Sequence, residues 1–347
     1  MLRFDVGDFR VAFLEVVVAS FLLQFCPTAQ GAAAITSPKN PTILLCIPRQ
    51  MSLLCTRGNR ADLLMSNRVQ LGCHRHSSPS PASMSSSSLL SKLRLVTVDV
   101  TGTLIAYRGQ LGDYYCLAAK SAGMPCPDYA RVHQGFKLAY ADMSRRHPCF
   151  GHAAAMPTAE WWKVCVRDSF ARAGYDYDDG TFERIFRRIY ATFGSSAPYS
   201  VFPDARPFLR WLRGRGLAVG IVSNAEYRYR DVVLPALGLN QGSEWDFGVF
   251  SGVVGVEKPD PRIYEAALEA AGGVAPAEAL HIGDSLRKDY APARSLGMHA
   301  LLLDRFGTAE AESWRRSGTP VLPDLAAARE WLAGDAKEEA AAPVTAR

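Results

Sequence analysis

A carboxylate, a glycine and two hydroxyl groups meet at the end of a short β-branched run. Asp99 lies near the end of the run LRLVTVDV, and Thr101, Gly102 and Thr103 come directly after it. Parallel sheets bind ligands beyond the carboxyl ends of their strands, so Asp99 would stand at a ligand-binding position. Gly102 permits a sharp turn, and the Thr103 hydroxyl can donate to a phosphate oxygen. The alternative is a strand followed by a polar turn without chemistry.

Three further polar residues lie directly beside a predicted strand or helix. Ser223 and Asn224 come directly after a second apolar run, and Lys258 lies in the segment EKPDP ahead of a predicted helix. Taken separately, a Ser-Asn pair commonly caps the following helix, and a lone lysine in a loop is usually solvated. Together with Asp99, they would place a cation and polar groups at the ends of neighbouring predicted elements.

A pair of acids marks the last of these positions. In the segment HIGDSLRKD, Asp284 and Ser285 follow a strand-like run, and Asp289 comes five residues after Asp284. Two carboxylates near a strand end are a usual way to hold Mg²⁺, which prefers oxygen ligands at near-octahedral geometry. The alternative is a helix N-cap plus an acid on the surface.

Strand-like and helical segments alternate over most of the chain, which predicts an α/β fold with a parallel sheet and helices on both faces. Strands are predicted at 93–100, 217–222, 247–250, 280–282 and 299–303. Helices of this core are predicted at 207–213, 227–237, 262–271 and 290–296. Only helical patterns occur in between, at 113–122, 128–145, 158–173 and 181–193. We therefore predict a core at 93–106 and 201–335, and an all-helical cap at 107–200.

The first 92 residues are predicted to be a disordered leader, and residues 336–347 a disordered tail. Residues 1–94 hold 10 Lys and Arg against 4 Asp and Glu, while residues 95–347 hold 29 against 30. The folded part is thus near neutral, which argues against nucleic-acid binding. The apolar stretch 11–25 contains Glu15 and is too short for a stable membrane span.

The compartment depends on where translation starts. The Arg- and Ser-rich, acid-poor leader is typical of transit peptides, which would place the protein in a plastid or mitochondrion. If translation starts at Met84, the protein would lie in the cytoplasm, and the nucleus is a further alternative. The eight cysteines show no CxxC pair or zinc spacing, so we predict unpaired, mostly buried thiols of a reducing compartment.

The order of these motifs resembles that of the haloacid dehalogenase-like hydrolase superfamily over residues 93–335. Five segments are similar to one subgroup, haloacid dehalogenase-like hydrolase domain-containing protein 3, in its plant-like form: GFKLAYADM, EWWKVCVRDSF, SNAEYRYRD, EKPDPRIYEAAL and HIGDSLRKDY. The resemblance implies a Rossmann-like core with a helical cap, and a phosphatase that acts on a small phosphorylated metabolite. It does not identify the metabolite or the oligomeric state.

The resemblance also implies roles for individual residues. Asp99 would be the nucleophile that forms an aspartyl-phosphate, and Mg²⁺ would be held by Asp99, the backbone carbonyl of Thr101 and Asp284. Asp289, with Ser285 beside it, would not bind the metal itself. It would orient either Lys258 or a water on the metal.

The phosphoryl oxygens would be held by a second set of residues. Lys258 would act as a catalytic cation, and Ser223 and Thr103 would hold oxygens as charge redistributes. Asn224 would position the ligand.

Thr101 departs from the superfamily pattern, because phosphatases of this group usually carry an acid–base aspartate there. Three interpretations stay open: a slow phosphatase for substrates with good leaving groups, an acid supplied by the cap, or a protein that binds a phosphorylated ligand or acts as a scaffold. The candidate cap residues are His133, Asp142, His147 and His152. A 2-haloacid dehalogenase is a further alternative, but it would have no use for the acid pair. The cap pair Trp161 and Trp162 could be helix-bundle core or face a ligand.

Overall fold

The computed structural model describes residues 89–340. Most of the predicted leader and residues 341–347 lie outside the described residues. The fold begins slightly before the predicted boundary, because Leu90 of helix α1 (Leu89–Lys92) is buried in the main core. Helix α13 (Leu325–Ala340) likewise continues past the predicted end of the core at residue 335.

Six parallel strands form the central sheet in the order β5-β4-β1-β6-β7-β8. The strands are β1 (Leu95–Val98), β4 (Ala218–Ser223), β5 (Phe247–Phe250), β6 (Ala279–Gly283), β7 (His299–Leu303) and β8 (Val321–Leu322). β1 lies at the centre, with Thr97 level with Gly220 of β4 and His281 of β6. The predicted parallel α/β fold is confirmed, and the carboxyl ends of β1, β4 and β6 meet at one edge.

Apolar cores cover both faces of the sheet, as expected for buried parallel strands. Successive residues of β1 point to opposite faces, so Val96 and Val98 pack in one core and Leu95 in the other. The surrounding helices are α7 (Ala205–Arg213), α8 (Leu234–Ala236), α9 (Ser251–Val254), α10 (Arg262–Ala270), α11 (Ala291–Ser295) and α12 (Ala311–Arg316). Segments of π-helix precede α8 and α11, at Tyr229–Val233 and Leu286–Tyr290.

The helical cap is inserted between two short strands, β2 (Ile105–Tyr107) and β3 (Tyr199–Val201), which pair antiparallel. The sequence analysis missed both strands. The cap helices are α2 (Leu111–Ser121), α3 (Tyr129–Arg146), α4 (Pro148–Gly151), α5 (Thr158–Arg172) and α6 (Asp179–Phe193). Trp161 is 1% exposed and belongs to the cap core, whereas Trp162 is only partly buried against it.

The prediction that the cysteines are unpaired is wrong for one pair in the cap. Cys116 in α2 and Cys126 in the following loop form a disulfide with Cα atoms 4.5 Å apart. The loop after α2 folds back beside the helix, which a spacing of ten residues does not reveal. Cys149 and Cys165 are free and buried, as predicted.

Within residues 89–340, none of the helices combines the length and the apolar character needed to cross a bilayer.

Candidate active site

Lys258 joins two carboxylates at the carboxyl edge of the sheet. Its Nζ donates to Asp99 Oδ1 at 2.7 Å, to Asp289 Oδ1 at 2.6 Å and to the carbonyl oxygen of Val222 at 3.0 Å. These three bonds use all three ammonium protons, and the side chain is 3% exposed. Burial favours the neutral amine, but the two carboxylates outweigh it and raise the pKa of Lys258. Lys258 is therefore a fixed cation beside the predicted nucleophile.

Asn224 holds the backbone of Lys258 in this position. Its Nδ2 donates to the Lys258 carbonyl at 2.9 Å, and its Oδ1 accepts from the Lys258 N–H at 2.7 Å. The sequence analysis assigned Asn224 to the ligand. The structure pairs both polar atoms of its amide with the backbone of Lys258, so Asn224 holds the loop that carries the cation, and its contact with a ligand stays a prediction.

Asp289 anchors Lys258 from the other side. Its Oδ1 also lies 3.1 Å from Nε2 of His281, and its Oδ2 accepts from the backbone N–H of Ser285 at 3.0 Å. Burial opposes ionisation, but Lys258 and His281 hold the pKa of Asp289 below its usual value. Three donors thus occupy this carboxylate, which fits a role behind the metal ligands rather than among them.

Three carboxylates lie close enough to share a cation. Asp99, Asp284 and Asp289 each offer an oxygen, and these oxygens lie within 4.8 Å of one another. Burial and the nearby charges of Asp99 and Asp289 raise the pKa of Asp284. Gly102 has φ +83° and a Cβ there would lie 2.0 Å from Asp284 Oδ2, so only glycine allows this approach. An all-oxygen, mutually repelling donor set fits Mg²⁺.

The predicted phosphate-binding hydroxyls flank this cluster. Thr103 is fully buried, and its Oγ1 has no hydrogen-bond partner within the described residues. A buried hydroxyl without a partner costs about 1–3 kcal/mol, so the Thr103 hydroxyl is suited to a ligand oxygen. Ser223 ends β4, the strand next to β1, and is 5% exposed.

Thr101 is tied to a chain of tyrosines that the sequence analysis did not find. Tyr199 donates its only hydroxyl proton to the Phe193 carbonyl at 3.2 Å, so it must accept from Tyr229 at 3.2 Å. Tyr229 then has no proton left and accepts from Tyr107 at 3.3 Å. The Thr101 side chain lies close to the Tyr229 hydroxyl, which has no proton left to donate to it. Thr101 therefore adjoins this chain of hydroxyl groups.

This chain of hydroxyl groups connects the site to the cap. Tyr107 and Tyr199 belong to the two strands that lead into and out of the cap, and Phe193 is the last residue of α6. Burial raises the pKa of Tyr229 well above its usual value, so its hydroxyl stays protonated. The sequence contained no sign of this chain, because Tyr107 and Tyr199 lie in strands of three residues and Tyr229 lies in a segment predicted only as a helix.

Two of the four cap residues that were predicted as possible proton donors form other contacts. Asp142 forms ion pairs with Arg145, Arg146 and Arg172 on the cap. His152 is exposed, and its Nδ1 lies 3.3 Å from the Gly252 carbonyl oxygen. These two residues are thus engaged elsewhere. For His133 and His147 the proposed role stays a prediction.

A turn in the cap docks beside Lys258. Cys149 and Phe150 both have positive φ, of 51° and 57°, and Phe150 packs on Trp161 with ring centroids 5.2 Å apart. The backbone N–H of Cys149 lies close to the carboxyl of Glu257, the residue before Lys258, and favours its charged form. Burial raises the pKa of the Glu257 carboxyl, while Lys288 opposes this shift. Glu257 therefore lies where the cap meets the loop that carries Lys258.

Lys288 is a second cation that interacts electrostatically with the charged residues of the site. Burial and the charge of Lys258 lower its pKa, while Asp289, Asp99 and Asp284 raise it. The sequence analysis did not single it out, although it lies in HIGDSLRKD between the two predicted acids.

Comparison with known proteins agrees with this geometry. The family described as haloacid dehalogenase-like hydrolase matches residues 93–297. Haloacid dehalogenase-like hydrolase domain-containing protein 3 of Mus musculus is 35% identical over 237 residues, which cover 67% of this chain and 91% of that protein. A phosphoserine phosphatase of Thermus thermophilus is 35% identical over 144 residues, 42% of this chain and 57% of that one.

A solved structure shows the same fold. The haloacid dehalogenase-type hydrolase YfnB of Bacillus subtilis, bound to magnesium, aligns with a TM-score of 0.50 and 16% identity over 70% of this chain and 99% of that one. At this identity the likeness concerns the fold alone.

Proposed function

Because the chain belongs to the haloacid dehalogenase-like hydrolase family, we propose that it is an Mg²⁺-dependent phosphatase acting on a small phosphate ester. The observation that carries this proposal is the pairing of Asp99 with Lys258 at 2.7 Å, beside the carboxylate of Asp284. A carboxylate held by a buried cation at the edge of a parallel sheet is suited to attack phosphorus.

In the first step, Asp99 attacks the phosphoryl group. Lys258 holds Oδ1, which leaves Oδ2 to form the new bond to phosphorus while the bond to the ester oxygen breaks. Lys258, with the hydroxyls of Ser223 and Thr103, stabilises charge on the phosphoryl oxygens. The product of this step is an aspartyl-phosphate and a free alcohol, whose oxygen takes a proton from water.

In the second step, water attacks phosphorus and the bond to Asp99 breaks. The Asp99 carboxylate is regenerated, and inorganic phosphate leaves with the oxygen of the water. A threonine hydroxyl does not titrate near neutral pH, so Thr101 neither takes the proton of this water nor protonates the alcohol. Loss of an acid–base group typically slows such steps by about 10²–10⁴, so turnover favours good leaving groups.

Asp99, Asp284 and the backbone carbonyl of Thr101 would hold Mg²⁺. When bound, the ion neutralises the carboxylates and polarises the phosphoryl group, which lowers the repulsion between an anionic nucleophile and an anionic substrate. The fit rests on the three clustered carboxylates and on Gly102, which leaves room for Asp284.

The alternatives have less support. A scaffold would not need Lys258 and two carboxylates buried together, because removing ions from water costs several kcal/mol each. A dehalogenase attacks carbon without a metal and leaves Asp284 without a purpose. The Thermus thermophilus relative is named a phosphoserine phosphatase, which supports phosphoryl chemistry.

The test is phosphate release by the full chain from a panel of small phosphate esters, with Mg²⁺ and with chelator, beside Asp99→Asn. Release that depends on Mg²⁺ and disappears in Asp99→Asn would support the proposal. Tight, Mg²⁺-dependent binding of a phosphate analogue without release would favour a ligand-binding protein. Halide release from a 2-haloacid in chelator would favour a dehalogenase.

A further inference from the structure

His281 lies behind the active site, at a position the proposed mechanism does not use. It belongs to β6, is fully buried and lies level with Thr97 of the neighbouring strand β1. Its Nδ1 is 2.8 Å from Thr97 Oγ1, and its Nε2 is 3.1 Å from Asp289 Oδ1. The ring of Tyr264 packs edge-on against it, with centroids 5.0 Å apart.

The surrounding groups determine where the imidazole carries its proton. Asp289 already accepts from Lys258 and Ser285, so it is ionised and can only accept. Nε2 of His281 must therefore carry hydrogen. Burial lowers the pKa of His281, which favours a neutral ring with a bare Nδ1. The Thr97 hydroxyl then donates to Nδ1 at 2.8 Å rather than to the Leu280 carbonyl, which lies 3.5 Å away.

These bonds form a chain that begins on Thr97 of β1 and ends on Asp99, the residue directly after that strand. Thr97 donates to His281, and His281 donates to Asp289. Lys258 donates to both Asp289 and Asp99. Thr97 and Asp99 are two residues apart, so their side chains lie on the same side of β1. A neutral histidine supplies Asp289 with a donor but adds no cation to compete with Lys258.

We propose that His281 is a positioning residue, which holds Asp289 so that Lys258 is kept against the nucleophile Asp99. The expected effect on kcat rests on the proposed phosphatase function. The expected effect on the hydrogen bonds of Asp289 and Lys258 does not. Without the Nε2 donor, Asp289 Oδ1 would be held by Lys258 alone. The carboxylate could then rotate and draw the ammonium group away from Asp99.

Two substitutions separate the hydrogen bond from the volume of the ring. His281→Gln can keep an N–H near the place of Nε2, whereas His281→Leu fills similar space without a donor. Loss of a partner of this kind typically costs about 10–100-fold in activity. We expect a loss of that size in kcat for His281→Leu with KM nearly unchanged, and a return to within a few-fold of wild type for His281→Gln. His299→Leu, on the neighbouring strand β7, is the control and should leave kcat unchanged.

A second measurement does not depend on turnover. Long-range ¹H–¹⁵N spectra of the full chain should show His281 neutral, with hydrogen on Nε2 and a bare Nδ1. The ammonium signal of Lys258 should be protected from exchange in wild type and His281→Gln, and lost in folded His281→Leu. A charged ring, hydrogen on Nδ1, or an equally protected Lys258 in His281→Leu would overturn the proposal. If the spectra are as expected but the protein has no phosphatase activity, the proposed function is refuted and the positioning role of His281 is not.

Discussion

Tyr229 donates its hydroxyl proton to Tyr199 at 3.2 Å, so the hydrogen bonds of these tyrosine hydroxyls run from the core toward the cap. Thr101 lies close to Tyr229, at the position where phosphatases of this superfamily usually carry an acid–base aspartate. The proposed reaction therefore lacks a proton donor at this position.

Thr101→Asp should restore the missing group. We expect kcat/KM for an ester with a poor leaving group to rise, by up to about 10²-fold, because such a leaving oxygen needs a proton in the transition state. An ester with a good leaving group should change much less. Thr101→Asn, which has similar size but no titratable proton, is the matched control. Equal effects of Thr101→Asp on both esters would contradict the proton-donor argument.

Tyr229→Phe should weaken the junction between core and cap. The substitution removes the buried hydroxyl that donates to Tyr199 and accepts from Tyr107, and loss of such a hydrogen-bond partner costs about 1–3 kcal/mol. The free energy of unfolding, measured in urea, should fall by that amount. Tyr114→Phe removes a hydroxyl on the cap surface and serves as the control. An unchanged free energy for Tyr229→Phe would show that the hydroxyl chain does not stabilise the junction.

Mg²⁺ should stabilise the protein through Asp284. Without a cation, burial and the charges of Asp99 and Asp289 raise the pKa of Asp284 above its unfolded value, so the free energy of unfolding should fall as pH rises through the folded pKa. Mg²⁺ should remove this fall. Asp284→Asn should stabilise the metal-free protein at pH 7 and abolish the response to Mg²⁺. Thermal unfolding with Mg²⁺ or chelator checks both effects. An equal shift by Mg²⁺ in wild type and variant would place the ion elsewhere.

Breaking the disulfide between Cys116 and Cys126 should destabilise the cap. The bond closes a loop with a sequence separation of 10 residues, for which the chain-entropy argument gives about 2–3 kcal/mol. Cys116→Ser, Cys126→Ser and the double variant should all lose the same amount in oxidising buffer. In reducing buffer the single variants should match wild type. A double variant much less stable than either single variant would mean that the two thiols act separately.

The sequence predicted the groups that lie at strand ends. Asp99, Ser223 and Asp284 follow apolar runs, and a parallel sheet brings the carboxyl ends of its strands to one edge. Lys258 was predicted from the motif before its helix. These interpretations needed only the presence of strands, not their order.

The relations that the sequence did not reveal depend on register or on very short elements. His281 meets Thr97 only because β6 lies beside β1 with these two residues level. The tyrosine chain depends on β2 and β3, strands of three residues that are too short for an alternating pattern to show. Asn224 was assigned to the ligand because its position near a strand end does not disclose that its amide pairs with the backbone of Lys258.

The central claim is that Asp99 becomes covalently phosphorylated, and the most direct test is to trap that intermediate. The full chain would be mixed with a phosphate ester and Mg²⁺, quenched in acid and reduced with borohydride, which converts an aspartyl-phosphate to homoserine. We predict homoserine at position 99 by peptide mass spectrometry, and none in chelator or in Asp99→Asn. Phosphate release without homoserine at that position, and persisting in Asp99→Asn, would contradict the account.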